Sequence, residues 1–270
     1  MTCNPWPEPR LYRYVPIFVA LTLALTTPSA RADLPETITT IKPAIVVVGT
    51  FSQLRSPAFL MRGTGFAFGD GSTIATNAHV IAQTLDATQQ ETLAVLVRQG
   101  NELHRRNAKV QVADPDHDLA LLRISGPPLP ALKIKPAASV REGQAVAFIG
   151  FPLGGSLGFS PVTHRGIISS ITPIALPAGN SAQLKEKPIR RLRSGSFSIY
   201  QLDATAYPGN SGGPLFDEDS GEVVGILNMV FVKGTKESAL EKPSGISYAI
   251  PASFLLDLTS RASPSNGPTD

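Results

Sequence analysis

Residues 207–215 have the sequence Tyr-Pro-Gly-Asn-Ser-Gly-Gly-Pro-Leu, a turn of small residues around one serine that leads into an apolar segment. Serine is a weak nucleophile at neutral pH, so it needs a base within hydrogen-bond reach and backbone N–H donors for the oxygen that becomes negative. Glycine at position 209 tolerates positive φ and allows a substrate carbonyl to come close. The stretch therefore predicts a nucleophilic Ser211 beside an oxyanion hole at Gly209, Asn210 and Ser211. Taken alone, it is equally compatible with a glycine-rich hairpin turn.

Two upstream segments supply the partners that such a serine requires. Residues 73–81 form an apolar, strand-like stretch that includes His79 near its end, and histidine is the side chain best suited to act as a general base near neutral pH. Residues 114–124 place Asp118 directly before an apolar run, with Asp114 and Asp116 as alternatives for the same role. The chain order His, Asp, Ser favours the chymotrypsin-type architecture over subtilisin-like and α/β-hydrolase folds.

These segments resemble those of trypsin-like serine proteases of the HtrA/Deg type. In that family the histidine lies in Thr-Asn-x-His-Val, the aspartate opens Asp-(Leu/Ile)-Ala-(Leu/Val), and the serine lies in Gly-Asn-Ser-Gly-Gly-Pro-Leu. This chain matches the three motifs at His79, Asp118 and Ser211, with further matches at 63–66, 149–152 and 245–251. The resemblance covers about residues 38–258. It implies that these three residues form a catalytic triad, and it favours Asp118 over its two neighbours.

Short β-type runs separated by glycine and proline predict an all-β protein. The runs lie at 45–48, 65–68, 93–97, 119–124, 145–149, 166–171, 198–202 and 223–230. Helical patterns are confined to about 34–40, a turn after His79 and a C-terminal piece from Pro251 to about Ser260. The resemblance implies a chymotrypsin-like double β-barrel with a short C-terminal helix.

The expected domain is a trypsin-like serine protease domain at 33–262. Its N-terminal barrel is expected at about 38–127 and its C-terminal barrel at about 137–250, joined by the proline-rich linker at 127–136. Residues 263–270 are expected to form a disordered tail. Only residues 252–270 follow Pro251, so no C-terminal PDZ-type domain is expected.

The N-terminus has the pattern of a secretory signal peptide. Arg10 and Arg13 precede an apolar stretch at 15–25, and Ala30-Arg31-Ala32 has the form of a cleavage site. We expect cleavage after Ala32, with an uncleaved membrane anchor as the alternative. Removal of 1–32 leaves 21 basic and 20 acidic residues from the original 24 and 21, so the charge gives little support for nucleic-acid binding.

The composition agrees with an exported globular protein that contains no metal or cofactor. The chain is 42% hydrophobic and 17% charged, which allows a sizeable core. Its single cysteine, Cys3, lies in the predicted signal peptide, so the exported protein would have no disulfide. His104, His117 and His164 lack ligand-type spacing, and no dinucleotide-binding or P-loop motif occurs. We therefore expect neither metal nor cofactor.

The resemblance places the substrate pocket before the serine and on the strand after it. The expected pocket residues are Thr205, Ala206, Tyr207, Leu227, Asn228 and Met229. A basic P1 side chain would find no counter-charge among them, and burying an unpaired charge is costly, so we expect cleavage after small or medium aliphatic residues. Asn210 stands where digestive enzymes of this fold have an aspartate that pairs with a new N-terminal ammonium. Activity should therefore not depend on the N-terminal residue.

The resulting hypothesis is an exported serine endopeptidase that acts on polypeptides through an acyl-enzyme, with a role in protein quality control and a periplasmic or secreted bacterial location. No nucleic-acid partner and no stable membrane insertion after signal cleavage are expected. The oligomeric state is open, with the trimer as the assembly that the resemblance implies. The alternative is a latent or inactive protease-fold protein that acts as a binding or chaperone-like module. A basic segment at 175–196 is expected to be a solvated loop, or else to contact anionic partners or gate the site.

Overall fold

The computed structural model describes residues 1–3, 33–154, 158–173, 197–228 and 246–262. The chain divides into two units, Met1–Arg31 and Ala32–Asp270, and all helices and strands of the described residues belong to the second. The basic segment at 175–196, Met229 and the predicted tail lie outside the described residues, as does nearly all of the predicted signal peptide. Within the described residues, no helix has both the length and the apolar character that a membrane crossing requires.

Six antiparallel strands close the first barrel in the order β1-β2-β3-β6-β5-β4. The strands are β1 Ile45–Phe51, β2 Phe59–Phe68, β3 Thr73–Thr76, β4 Thr92–Gln99, β5 Glu102–Asp114 and β6 Leu119–Ile124. Residues 45–48 are Ile-Val-Val-Val and are almost completely buried. β-branched side chains favour extended backbone and pack well on a pleated surface.

Six further strands close the second barrel in the order β10-β11-β12-β9-β8-β7. They are β7 Ala145–Gly150, β8 Val162–Pro173, β9 Ser198–Asp203, β10 Pro214–Asp217, β11 Val223–Asn228 and β12 Ile246–Pro251. Among the described strands, closure leaves no free sheet edge in either barrel. The predicted double barrel is therefore confirmed.

Three α-helices occur among the described residues: α1 Leu34–Ile41, α2 Ala78–Ile81 and α3 Ser253–Ala262. Single 3₁₀ turns occupy Lys42–Ala44 and Ala137–Ser139. α3 begins two residues after the predicted start, because Pro251 still pairs with Gly225 at the end of β12. The predicted turn after His79 is the short helix α2, which contains His79 itself.

The linker between the barrels is attached to both of them. The Leu132 N–H donates to the Ala67 carbonyl at 2.9 Å, and the Lys135 N–H donates to the Val223 carbonyl at 2.8 Å. The larger buried apolar cluster contains the interior of the first barrel together with Phe151 and Phe216 from the second half of the chain. This continuous core holds the two barrels against each other.

β5 is the main strand that the sequence analysis missed. Nine of its thirteen positions are exposed, so it shows neither an apolar run nor a regular alternation. It is a strand because β4 pairs with one of its edges and β6 with the other. Backbone pairing on both sides overrides the weak side-chain pattern.

Candidate active site

The pairing of β3 with β6 brings His79 to Asp118. Thr76 at the end of β3 pairs with Ala120 near the start of β6, so α2 begins beside the residue that precedes β6. The Nδ1 of His79 lies 2.7 Å from Oδ2 of Asp118, and the backbone N–H of His79 donates to Oδ1 at 2.8 Å. The carboxylate therefore fixes both the backbone and the ring of the histidine, and it favours the tautomer with the proton on Nδ1.

Several other groups hold Asp118 in position. Its side chain is buried, and its backbone has a φ of +54°, a left-handed conformation that Asp tolerates better than most residues. The Asp118 carbonyl accepts hydrogen bonds from the Ala78 N–H and from Asn77 Nδ2, both at 3.0 Å. Asn228 Nδ2 donates to Oδ2 at 2.8 Å. The Asp118 carboxylate thus accepts hydrogen bonds from both barrels.

Ser211 lies in the turn between β9 and β10 and is anchored by its backbone. Its carbonyl accepts a hydrogen bond from the Thr64 N–H at 2.8 Å, and the next N–H, that of Gly212, donates to the Leu227 carbonyl at 3.0 Å. Gly212 has a φ of +86°, and a Cβ there would lie 2.1 Å from the Thr64 carbonyl oxygen, so this position requires glycine.

The described residues contain no hydrogen bond between the Ser211 hydroxyl and His79. Such bonds are often long in free enzymes and tighten when substrate is present. One third of the His79 side chain is exposed, so the ring can reach a substrate.

The backbone around Gly209 leaves two N–H groups for an oxyanion hole. Gly209 has a φ of +103°, and within the described residues the N–H groups of Gly209 and Ser211 have no hydrogen-bond acceptor. The N–H of Asn210 donates to the Tyr207 carbonyl at 3.0 Å. This corrects the three-residue prediction, because closing the turn uses the Asn210 N–H.

The Asn210 side chain is completely buried, and neither of its polar atoms has a hydrogen-bond partner in the part of the chain that the structure describes. It packs against Gly150, where a Cβ would lie 2.7 Å from Asn210 Oδ1. A carboxylate at this place would be a buried and unpaired charge, which costs far more than a neutral amide. The surroundings therefore suit asparagine better than aspartate.

The predicted pocket residues lie on two segments of the chain, 205–207 and 227–229. Thr205, Ala206 and Tyr207 lie together on the segment before Gly209, where the Ala206 N–H donates to Ser247 Oγ at 2.9 Å. Leu227 is fully buried in the apolar cluster of the second barrel. The Asn228 amide donates to Asp118 Oδ2 at 2.8 Å, and its place in the pocket stays a prediction. Met229 lies outside the described residues.

Asp114, one of the two alternatives to Asp118, is engaged elsewhere. Its Oδ2 lies 2.9 Å from His117 Nδ1 and 3.3 Å from Arg261 Nη1. Burial raises the pKa of Asp114, but its hydrogen bonds from His117 and the charge of Arg261 outweigh burial and lower that pKa. The His117 ring stacks on Phe254 of α3 with centroids 4.2 Å apart. This cluster fastens α3 to the loop that contains Asp118.

The other two histidines have separate surroundings. His104 lies on β5 beside Glu102, at 3.5 Å. His164 stacks on Phe148, and burial lowers its pKa. Among the described residues, no group of three or more His, Cys, Asp or Glu side chains could hold a metal ion.

Comparison with known proteins identifies the family of this chain. Residues 63–226 match the family described as the trypsin-like peptidase domain. The chain belongs to the trypsin-like peptidase family. Its relatives include a probable periplasmic DegP-like serine endoprotease of Pseudomonas fluorescens, 34% identical over 199 residues, which cover 74% of this chain and 34% of that protein. Rat serine protease HTRA3 is 31% identical over 235 residues, which cover 84% of this chain and 44% of that protein. This peptidase-family chain thus spans less than half the length of these relatives.

Solved structures of HtrA-type proteases share the fold. The HtrA-type protease AlgW with a tripeptide superposes with a TM-score of 0.61 at 25% identity, covering 85% of this chain and 63% of that one. Deg5 superposes with a TM-score of 0.58 at 25% identity, covering 83% and 90%. The expected similarity to HtrA/Deg proteases is therefore confirmed.

Sequence reasoning missed two residues that contact the site and the role of a third. Asn77 donates to Asp118, and Thr64 holds the Ser211 turn from the first barrel. Asn228, expected only as a pocket residue, also donates to Asp118. Their common signal is a polar side chain at, or directly after, a buried strand. That signal shows that a partner is needed, because buried polar groups are nearly always hydrogen-bonded, but it does not identify the partner.

Proposed function

We propose that this chain is an exported serine endopeptidase that hydrolyses peptide bonds through an acyl-enzyme formed at Ser211. The observation that carries the proposal is the buried Asp118 carboxylate, which holds His79 by two hydrogen bonds beside the Ser211 turn. In this arrangement a neutral imidazole has its unprotonated Nε2 available as a base.

In the proposed reaction, Ser211 Oγ attacks the carbonyl carbon of the scissile peptide bond while its proton passes to Nε2 of His79. The carbonyl oxygen becomes negative and accepts hydrogen bonds from the N–H groups of Gly209 and Ser211. His79 then gives the proton to the leaving amine as the C–N bond breaks. Water attacks the resulting ester by the same steps, and Asp118 stabilises the imidazolium each time without taking its proton.

The relatives support a proposed location and substrate class. The Pseudomonas fluorescens relative is named as a probable periplasmic endoprotease, and the AlgW structure contains a peptide. We propose export to the periplasm or beyond, with polypeptides as substrates and a role in protein quality control. The trimeric assembly implied by the resemblance stays a prediction.

A serine-directed phosphonate probe tests the proposed function directly. We expect the purified protein, without residues 1–32, to be labelled at Ser211, as located by mass spectrometry. The label should be absent from Ser211→Ala and present in Ser139→Ala, which changes an exposed serine on a 3₁₀ turn. A folded wild-type protein that is neither labelled nor able to cleave an unfolded protein would contradict the proposal. That result would favour the latent, chaperone-like alternative.

Peptide-library profiling tests the proposed specificity. The predicted pocket residues that the structure describes, Thr205, Ala206, Tyr207, Leu227 and Asn228, carry no charge, so a Lys or Arg side chain at P1 would lose its hydration without gaining a charged partner among them. We expect cleavage chiefly after small or medium aliphatic residues such as Ala and Val. A profile dominated by Arg or Lys at P1 would refute this specificity while leaving the catalytic proposal intact.

A further inference from the structure

The hydroxyl of Thr64 contacts the Ser211 turn at a point that the proposed mechanism does not use. Thr64 lies on β2 in the first barrel and is completely buried. Its Oγ1 donates a hydrogen bond to the Gly209 carbonyl at 2.7 Å and accepts one from the Phe151 N–H at 3.1 Å. The backbone N–H of the same residue donates to the Ser211 carbonyl at 2.8 Å. One residue of the first barrel therefore holds the carbonyls on both sides of Asn210.

These contacts determine where the neighbouring N–H groups point. A trans peptide group is planar, with its C=O and N–H on opposite sides. Because the Gly209 carbonyl faces Thr64, the Asn210 N–H of the same peptide faces away from it, and it donates to the Tyr207 carbonyl. The turn closed in this way leaves the N–H groups of Gly209 and Ser211 for a substrate oxygen.

The Pro208–Gly209 peptide is held by the segment that begins at Phe151, the other hydrogen-bond partner of the Thr64 hydroxyl. The Phe151 N–H is bonded to Thr64 Oγ1, and two residues later the Leu153 N–H donates to the Pro208 carbonyl at 2.8 Å. The plane of the Pro208–Gly209 peptide, and with it the direction of the Gly209 N–H, thus depends on the turn that Thr64 anchors. Gly209 alone imposes little restriction, since glycine adopts many backbone conformations at similar free energy.

We propose that the Thr64 hydroxyl is a positioning group for the oxyanion hole, which fixes the Gly209 peptide of the second barrel relative to the barrel that contains His79. The inference rests on the proposed function. Without the hydroxyl, the carbonyl of the half-buried Gly209 and the N–H of the buried Phe151 would both lose their partner, which is costly. Rotation of the Gly209–Asn210 peptide toward another partner would relieve that cost, but it would take the Asn210 N–H away from the Tyr207 carbonyl and open the turn that directs the Gly209 N–H.

Thr64→Val and Thr64→Ser form the matched pair that tests the proposal. Valine keeps the shape and the backbone N–H but loses the hydroxyl, whereas serine keeps the hydroxyl. We expect Thr64→Val to lower kcat for a peptide substrate by about 10²-fold, comparable to loss of one oxyanion donor, with KM changed by less than about 3-fold. Thr64→Ser should retain kcat within about 5-fold of wild type. Wild-type kcat in Thr64→Val, or equal losses in the two variants, would overturn the proposal.

Amide hydrogen exchange at Phe151 provides a readout that does not depend on activity. Its N–H should exchange faster in Thr64→Val and remain protected in Thr64→Ser; equal protection in both would overturn the proposed contact. If Thr64→Val fails to fold, Thr64→Ala replaces it. We expect the same decrease in kcat and the same loss of protection at the Phe151 N–H. Wild-type kcat and protection in Thr64→Ala would overturn the proposal. Failure of the proposed function is recognised separately, because the wild-type protein would then neither cleave a peptide nor react with the phosphonate. In that case, hydrogen exchange at Phe151 still shows whether the Thr64 hydroxyl holds the Phe151 N–H.

Discussion

Replacement of Ser211 by alanine is expected to lower kcat for peptide hydrolysis by about 10⁴-fold or more, and His79→Ala should have an effect of the same order. Without Ser211 no acyl-enzyme can form. Without His79 the serine hydroxyl loses the base that takes its proton, so it stays a weak nucleophile. What remains is the binding of substrate and the stabilisation of the oxyanion by the Gly209 and Ser211 N–H groups.

The double variant Ser211→Ala/His79→Ala should be little worse than either single variant, because the two residues act in one proton transfer. The measurement is kcat and KM on one fluorogenic peptide at saturating substrate. Ser139→Ala and His104→Ala serve as matched controls at exposed positions away from the site, and both should retain wild-type rates. Losses that multiply in the double variant would argue against a shared mechanism.

Asp118→Asn is expected to lower kcat by about 10⁴-fold while leaving the fold intact. Asp118 accepts hydrogen bonds from the His79 backbone N–H, from His79 Nδ1 and from Asn228 Nδ2. An asparagine has only one oxygen to offer. If that oxygen keeps the backbone N–H, its NH₂ group faces the ring, which must then carry its proton on Nε2 and can no longer accept the proton of Ser211.

Two neighbouring carboxylates provide controls for that experiment. Asp114→Asn and Asp116→Asn remove the same charge within four residues of Asp118, and both should retain most of the activity. Asp114 pairs instead with His117 and Arg261. The assay is the same peptide hydrolysis, with circular dichroism to confirm folding. Near-normal rates in Asp118→Asn together with an inactive Asp116→Asn would move the assignment to Asp116.

Local patterns predicted most strands well. Two predicted runs are buried strands in the structure: Ile-Val-Val-Val at 45–48 and Leu-Ala-Leu-Leu at 119–122. Short apolar runs bounded by turn residues are typical of buried strands. β5 was not predicted, because its side chains are mostly exposed and only its pairing with β4 and β6 makes it a strand. A strand with buried apolar side chains can be recognised from the sequence, whereas a strand that forms through backbone pairing with its neighbours cannot.

The residue pattern by itself predicted an all-β protein, and the resemblance of its motifs to a known family predicted the double barrel and the three residues proposed to do the chemistry. The motifs around His79, Asp118 and Ser211 can be recognised from the sequence because they are short. The residues adjacent in sequence determine whether a turn can expose a given side chain. Tertiary structure alone decided which groups support them. Asn228 is 110 positions from Asp118, and Thr64 is 145 positions from Gly209. Whether such distant groups meet depends on barrel closure and on the packing of the two barrels, because hydrogen bonds need donor and acceptor within about 3 Å and correctly oriented.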